Sequence, residues 1–148
     1  MGTQQILMIV LSVIVVGAAV AVGIQMFDTQ ANNAARNAMV TDVLQMAAQA
    51  QAWYRTPTMM GGAGNAATNS DDGGFTATDI AKYIDSGATT ATITNANGSY
   101  VVAIVTWPEI SIVATQGEMK VAALIDLKGV KGDNGIKMNP SSETVPTF

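Results

Sequence analysis

Residues 6–27 read ILMIVLSVIVVGAAVAVGIQMF, and no charged side chain occurs before Asp28. Only Ser12 and Gln25 in this run are clearly polar. Roughly 20 apolar residues cross a bilayer core, and a signal-peptide hydrophobic region is shorter, roughly 7–15 residues. A helix that is apolar all round needs apolar neighbours on every side. Lipid supplies them, and so do other copies of the same helix. No basic residue precedes the run, the first being Arg36, whereas a newly made anchor normally carries cytoplasmic positive charge. The reading adopted is that a basic leader has been removed and Met1 is the mature terminus; the alternative is an ordinary uncleaved anchor.

The helical pattern does not end where the charge begins. No glycine or proline occurs at positions 28–56, and Ala, Gln, Met and Arg favour helix. Apolar residues recur at Ala35, Met39, Val43, Met46, Ala50 and Trp53, steps of three and four that make one stripe. Pro57 then stops the pattern and biases Thr56 away from helix. One helix is therefore predicted from about Thr3 to Tyr54, roughly 75–80 Å long at 1.5 Å per residue. Residues 1–27 form its apolar half and residues 28–56 its amphipathic half. Met39, Val43, Met46, Ala50 and Trp53 are the expected packing face toward a C-terminal sheet. In the apolar half, Gly17 and Ala21 fit a small-xxx-small spacing that lets helices approach closely. Gly17 and Gly23 also weaken the helix, so any melted stretch is expected between them.

Residues 57–89 read as a connecting region. Positions 58–74 are rich in Gly, Asn, Asp and Ser and predict a loop. A short helix follows from about Thr78, capped by Thr76 or Thr78. From Thr90 the period becomes that of strands, at 90–95, 100–107, 110–115 and 120–127. Asn97-Gly98 marks a hairpin turn between the first two. Residues 129–148, with Pro140 and Pro146, are expected to be irregular. The predicted fold class is α+β: a long N-terminal helix packed on a small antiparallel sheet of three or four strands, the sheet and tail occupying residues 90–148.

The inventory excludes several chemistries. The 148 residues include no Cys and no His, so disulfides, thiol nucleophiles, common zinc sites and His-based catalysis are absent. A net charge of -4 argues against nucleic-acid binding through the whole surface. Weaker motifs have ordinary explanations. Asp71-Asp72-Gly73-Gly74 offers oxygens to Ca²⁺ but lacks the EF-hand spacing, and reads as a solvated turn. Asn97-Gly98-Ser99 matches the N-glycosylation pattern, yet the hairpin accounts for it. Lys120, Lys128, Lys131 and Lys137 are interspersed with Asp126 and Asp133 and read as a solvated face. Phe27, Trp53, Tyr54, Phe75, Tyr83, Tyr100 and Trp107 are dispersed along the chain and read as packing residues, not an electron-carrying ladder. The expectation is a protein that is not an enzyme and uses no cofactor and no metal.

The N-terminal 55 residues or so resemble the type IV pilin family. The resemblance rests on Leu7-Met8-Ile9-Val10, the Val/Ile/Ala/Gly run after it, Gly23-Ile24-Gln25-Met26-Phe27, and the Ala-rich amphipathic helix ending in Ala52-Trp53-Tyr54. It implies a subunit that waits in the inner membrane, has its leader cut by a prepilin peptidase, and is drawn by assembly machinery into a helical homopolymer on a prokaryotic cell surface. The implied core-forming residues are Met1, Gln5, Leu7, Met8, Val10, Ile14, Gly17, Ala21, Gly23 and Phe27. Counted from Met1, Gln5 stands where family members carry Glu, although the Leu-Met-Ile-Val match is offset by one residue from that count. The family's Pro near position 22 is absent. A major pilin is the expected function. The alternatives are a pseudopilin of a secretion system and a single-pass anchored binding domain that does not polymerise.

Overall fold

A computed structural model describes residues 2–69, 74–131, 135–140, 142 and 144–147. The first element is α1 (Gly2–Arg55), and its end agrees with the stop signal at Pro57. The helix is continuous through Gly17 and Gly23, so no melted stretch lies between them. The two glycines cost only about 1 kcal/mol each. Opening a turn in apolar surroundings would strand backbone donors and acceptors at several kcal/mol per group.

The chain divides into two compact units, Met1–Ala35 and Arg36–Phe148. The division falls beyond the first charge because the first α1 side chain fully committed to the head is Met39. The first unit is helix alone, and its large apolar side chains are exposed, from 49% at Val10 to 76% at Phe27.

In the second unit, a 3₁₀ turn (Thr58–Met60) follows α1, and the next helix in the order is α2 (Ala77–Ile84). Thr76 caps α2: its hydroxyl accepts from Asp79 N while the Asp79 carboxylate accepts from Thr76 N at 2.8 Å. These reciprocal bonds satisfy donors that every helix start leaves open. Five strands follow, β1 (Thr92–Asn95), β2 (Gly98–Thr106), β3 (Glu109–Gln116), β4 (Met119–Asp126) and β5 (Ile136–Asn139). They form one antiparallel sheet in sequence order.

Three cross-strand rows supply the sheet's half of the core. Ile93, Tyr100, Ala114 and Val121 make the first, Val102, Ile112, Ala123 and Met138 the second, and Ile104, Ile110, Ile125 and Ile136 the third. They share a core cluster with Met39, Val43, Met46, Ala47, Ala50 and Trp53 of α1, so all five α1 residues expected to pack on the sheet are buried. Ala35, at the start of the predicted stripe, is only half-buried. β4 is buried on both faces. Its outward Leu124 lines a cavity of about 390 Å³ with Val105, Thr106, Val145, Pro146 and Thr147, which places the C-terminal tail against the outer face of the sheet.

The expected strand count needs correction. The sheet has five strands rather than three or four, because Ile136 and Met138 alternate inward before Pro140 is reached. A proline directly after an edge strand ends the strand without forbidding it. The expected hairpin between the first two strands is present: Asn95 pairs with Gly98 and the turn is made by Ala96 and Asn97. Gly98 is required by proximity: a Cβ there would lie 2.7 Å from Thr115 O. Met1 and the Asp71-Asp72-Gly73 part of the suggested Ca²⁺ motif lie outside the described residues.

The burial pattern predicts a sharp contrast. Ile112→Ala, at a fully buried position, should lower head stability by about 2–5 kcal/mol. Val101→Ala, at a side chain 45% exposed, should cost under about 1 kcal/mol. Urea unfolding of the detergent-solubilised chain, followed by tryptophan fluorescence, measures both.

Candidate functional site

The candidate site is the surface of the first unit. Gln5, Leu7, Met8, Val10, Ile14, Ala21 and Phe27 are exposed there, as is Gly17, while Gly23 is half-buried. Viewed down the helix at 3.6 residues per turn, these positions distribute around the whole circumference, so no one seam would cover them. α1 is long and apolar enough to cross a membrane. Its polar exceptions are partly neutralised from within: Ser12 Oγ donates to Met8 O at 2.8 Å. A built Cβ on Gly17 or Gly23 meets nothing within 4 Å. Their own chain therefore gives no steric reason for glycine.

The second unit behaves oppositely: it closes its own core and fastens α1 into it at several points. Asp42, on α1, is the principal polar tie. Its Oδ2 accepts from Asn95 Nδ2 at 2.9 Å, Asn97 Nδ2 at 2.8 Å and Tyr100 Oη at 2.7 Å. Three donors on the first hairpin thus converge on one carboxylate oxygen. Burial pushes the Asp42 carboxyl upward, but the bonds from Asn97, Tyr100 and Asn95 together outweigh it and hold the group below its ordinary 3.8. Burial, then the hydrogen bond and charge of Asp42, push the Tyr100 phenol in the opposite direction, upward. Sequence reading missed this cluster, since Asp42 lies 53 positions from Asn95. The cluster also occupies the Asn97 amide nitrogen, the atom a glycan would need.

At the other end, α1 finishes in an aromatic group. Trp53 meets Phe75 edge-on at 5.3 Å and Trp107 at 6.4 Å, and Phe75 stacks on Trp107 at 5.7 Å. Tyr54 lies 5.9 Å from Trp107. Aromatics dispersed in sequence are gathered here in space, whereas Phe27 and Tyr83 remain exposed. The polar atoms are satisfied by loop carbonyls: Trp53 Nε1 donates to Gly61 O at 2.9 Å, and Trp107 Nε1 and Tyr54 Oη donate to Ala66 O at 3.1 and 3.0 Å. In return Ala63 N and Asn65 N donate to Trp53 O and Tyr54 O, capping carbonyls that a helix end leaves unpaired.

Asp126, buried at the end of β4, organises the following loop. Its carboxylate accepts from the backbone N–H groups of Lys128, Val130 and Lys131 at 3.1 Å each. Its own carbonyl accepts from Gln51 Nε2 at 3.1 Å, a further tie to α1. Lys131 pairs with Glu109, so the lysines suggested as a basic face are drawn partly into local structure. Among the described residues, no group of three or more His, Cys, Asp or Glu side chains is placed to hold a metal ion.

Comparison with protein-family models, with curated proteins and with solved structures gave no match.

The Asp42 tie carries a pH prediction. A carboxyl whose folded value is depressed stabilises the fold above its unfolded value, and that contribution disappears as pH falls through the lower folded value. Head stability should therefore fall as pH drops below about 4. Asp42→Asn should cost roughly 1–3 kcal/mol at neutral pH, from weakened charge-assisted bonds, and should flatten the acid limb. Urea midpoints at pH 7 and pH 3 for both proteins measure the difference. Equal acid sensitivity in the two would assign the limb to other carboxylates.

Proposed function

We propose that this chain is the structural subunit, a major pilin, of an extracellular type IV pilus-like filament, polymerising through its N-terminal helix. Before assembly it stands in the inner membrane, with residues 6–27 in the bilayer. A prepilin peptidase and assembly machinery are its proposed processing partners, and identical subunits its partners in the fibre. One observation carries the reading: residues 6–27 keep uncharged apolar side chains exposed around the whole helix, while the head closes a buried core of its own.

The mechanism is burial rather than chemistry. Lipid already satisfies the helix, so moving it into a bundle gains little classical hydrophobic energy. Close packing between helices must supply specificity, and assembly must be driven. Release from a finished fibre into water is a different matter. At about 25 cal/mol per Å², exposing a 22-residue apolar surface costs on the order of tens of kcal/mol, so a fibre once formed holds together.

Two substitutions test this. Ile14→Asp should abolish surface fibres, because an unpaired carboxylate inside an apolar bundle costs several kcal/mol. Gly17→Leu should reduce fibre yield by obstructing close helix approach. Both should leave the head's near-UV circular dichroism unchanged. Electron microscopy and mass spectrometry of sheared surface material are the readouts. Abundant fibres containing the wild-type chain are expected. A chain confined to membranes, with no fibre containing it, would favour the anchored binding domain. A trace presence in fibres built from another subunit would favour a pseudopilin.

A further inference from the structure

Asn97 and Gly98 form an Asn-Gly pair. In that dipeptide the asparagine side chain is open to attack by the next backbone nitrogen, because glycine has no Cβ to obstruct the approach. The fold does not allow another residue at position 98, where a Cβ would meet Thr115 O. Nor is Asn97 idle, since its Nδ2 donates to Asp42 Oδ2 at 2.8 Å. The reactive pair is therefore imposed by packing on one side and by the tie to α1 on the other. Both reacting groups are held. Asn95 Oδ1 accepts from Asn97 N at 2.8 Å and from Gly98 N at 3.2 Å, while Asn95 Nδ2 donates to the same Asp42 oxygen at 2.9 Å. Asn95 thus engages the nucleophilic nitrogen, and Asp42 engages the amide it would attack.

We propose that Asn97 is a deamidation site, that its bonds to Asp42 and those of Asn95 hold it unreacted in the closed hairpin, and that its reaction loosens the first hairpin from α1. In the reaction Gly98 N gives up its proton and bonds to Asn97 Cγ, and the side-chain nitrogen leaves as ammonia. Water then opens the five-membered imide at one of its two carbonyls. The net change is amide plus water to carboxylate plus ammonium, with nothing oxidised or reduced. The closed hairpin opposes the first step twice: the proton on Gly98 N is engaged by Asn95, and the Asn97 side chain is drawn toward α1. Local opening of the hairpin removes both constraints together. The product does not fit the place it left. A carboxylate at position 97 faces the Asp42 carboxylate where a donor stood at 2.8 Å, and two like charges at that range do not both stay ionised without cost. The modification is one-way and marks a head whose hairpin has opened. It does not rest on the filament reading.

Peptide mapping by mass spectrometry of the full chain, aged in detergent at mildly alkaline pH, tests this. Trypsin separates residues 83–120, which carry Asn97, from residues 132–137, which carry the chain's other Asn-Gly pair, Asn134-Gly135. Deamidation at Asn97 should be on the order of a hundredfold slower in the folded chain than in concentrated urea. Asn95→Ala and Asp42→Ala should each speed it by about tenfold while near-UV circular dichroism shows a folded head. Ile112→Ala, which weakens the core without touching the cluster, should leave the rate unchanged. In urea titrations Asn97→Asp should raise the unfolding constant by about tenfold. Adding Asp42→Asn, which makes the pair one amide and one carboxylate again, should recover most of that loss. Equal rates in the folded chain and in urea overturn the proposal. So do rates indifferent to Asn95→Ala and Asp42→Ala, an Ile112→Ala rate raised as much as theirs, or an Asn97→Asp head as stable as the wild type.

Discussion

Twenty-two consecutive residues without a charge cannot be left in water, and their large apolar side chains are exposed among the described residues. That mismatch between apolar surface and available partners shapes the molecule. It requires a continuous helix, because only a fully hydrogen-bonded backbone is tolerated in apolar surroundings. It requires that Ser12 turn its hydroxyl back onto Met8 O. The head is stable by its own packing, around a core cluster that lies within the second unit.

The head meets that demand without disulfides. Three apolar rows of the sheet close on one stripe of α1, and the polar ties fall at the ends of that stripe. Asp42 fastens the first hairpin. At the far end Trp53, Tyr54 and Gln51 fasten the loops that follow α1 and β4. Each tie satisfies a buried or terminal polar group that would otherwise cost about 1–3 kcal/mol. The result is a helix held at several points along the part inside the head.

Much of the architecture was legible because it rests on local periodicity. The stripe from Met39 to Trp53 is a 3.6-residue pattern, the four main strands are runs of Val, Ile and Thr, and the α2 cap is a four-residue motif at Thr76. The features that escaped depend on long-range juxtaposition or on a local signal misweighed. Nothing in sequence spacing brings Asp42 to Asn95, Asn97 and Tyr100, or Trp53 to Phe75 and Trp107. β5 was hidden by Pro140, whose breaking effect begins only after the strand has paired. Gly17 and Gly23 read as weak points of the apolar half, but the cost of unpaired backbone outweighs two missing Cβ atoms there. The candidate surface itself, residues 6–27, was fully visible from composition.

The central claim is that these apolar side chains find their company in copies of themselves. A reconstruction of sheared surface fibres at side-chain resolution tests it most directly. The account predicts Ile14, Gly17 and Phe27 enclosed by the apolar helices of neighbouring subunits, with the heads outside. A working assembly in which residues 6–27 are surrounded by lipid alone, with no sister helix in contact, would contradict it.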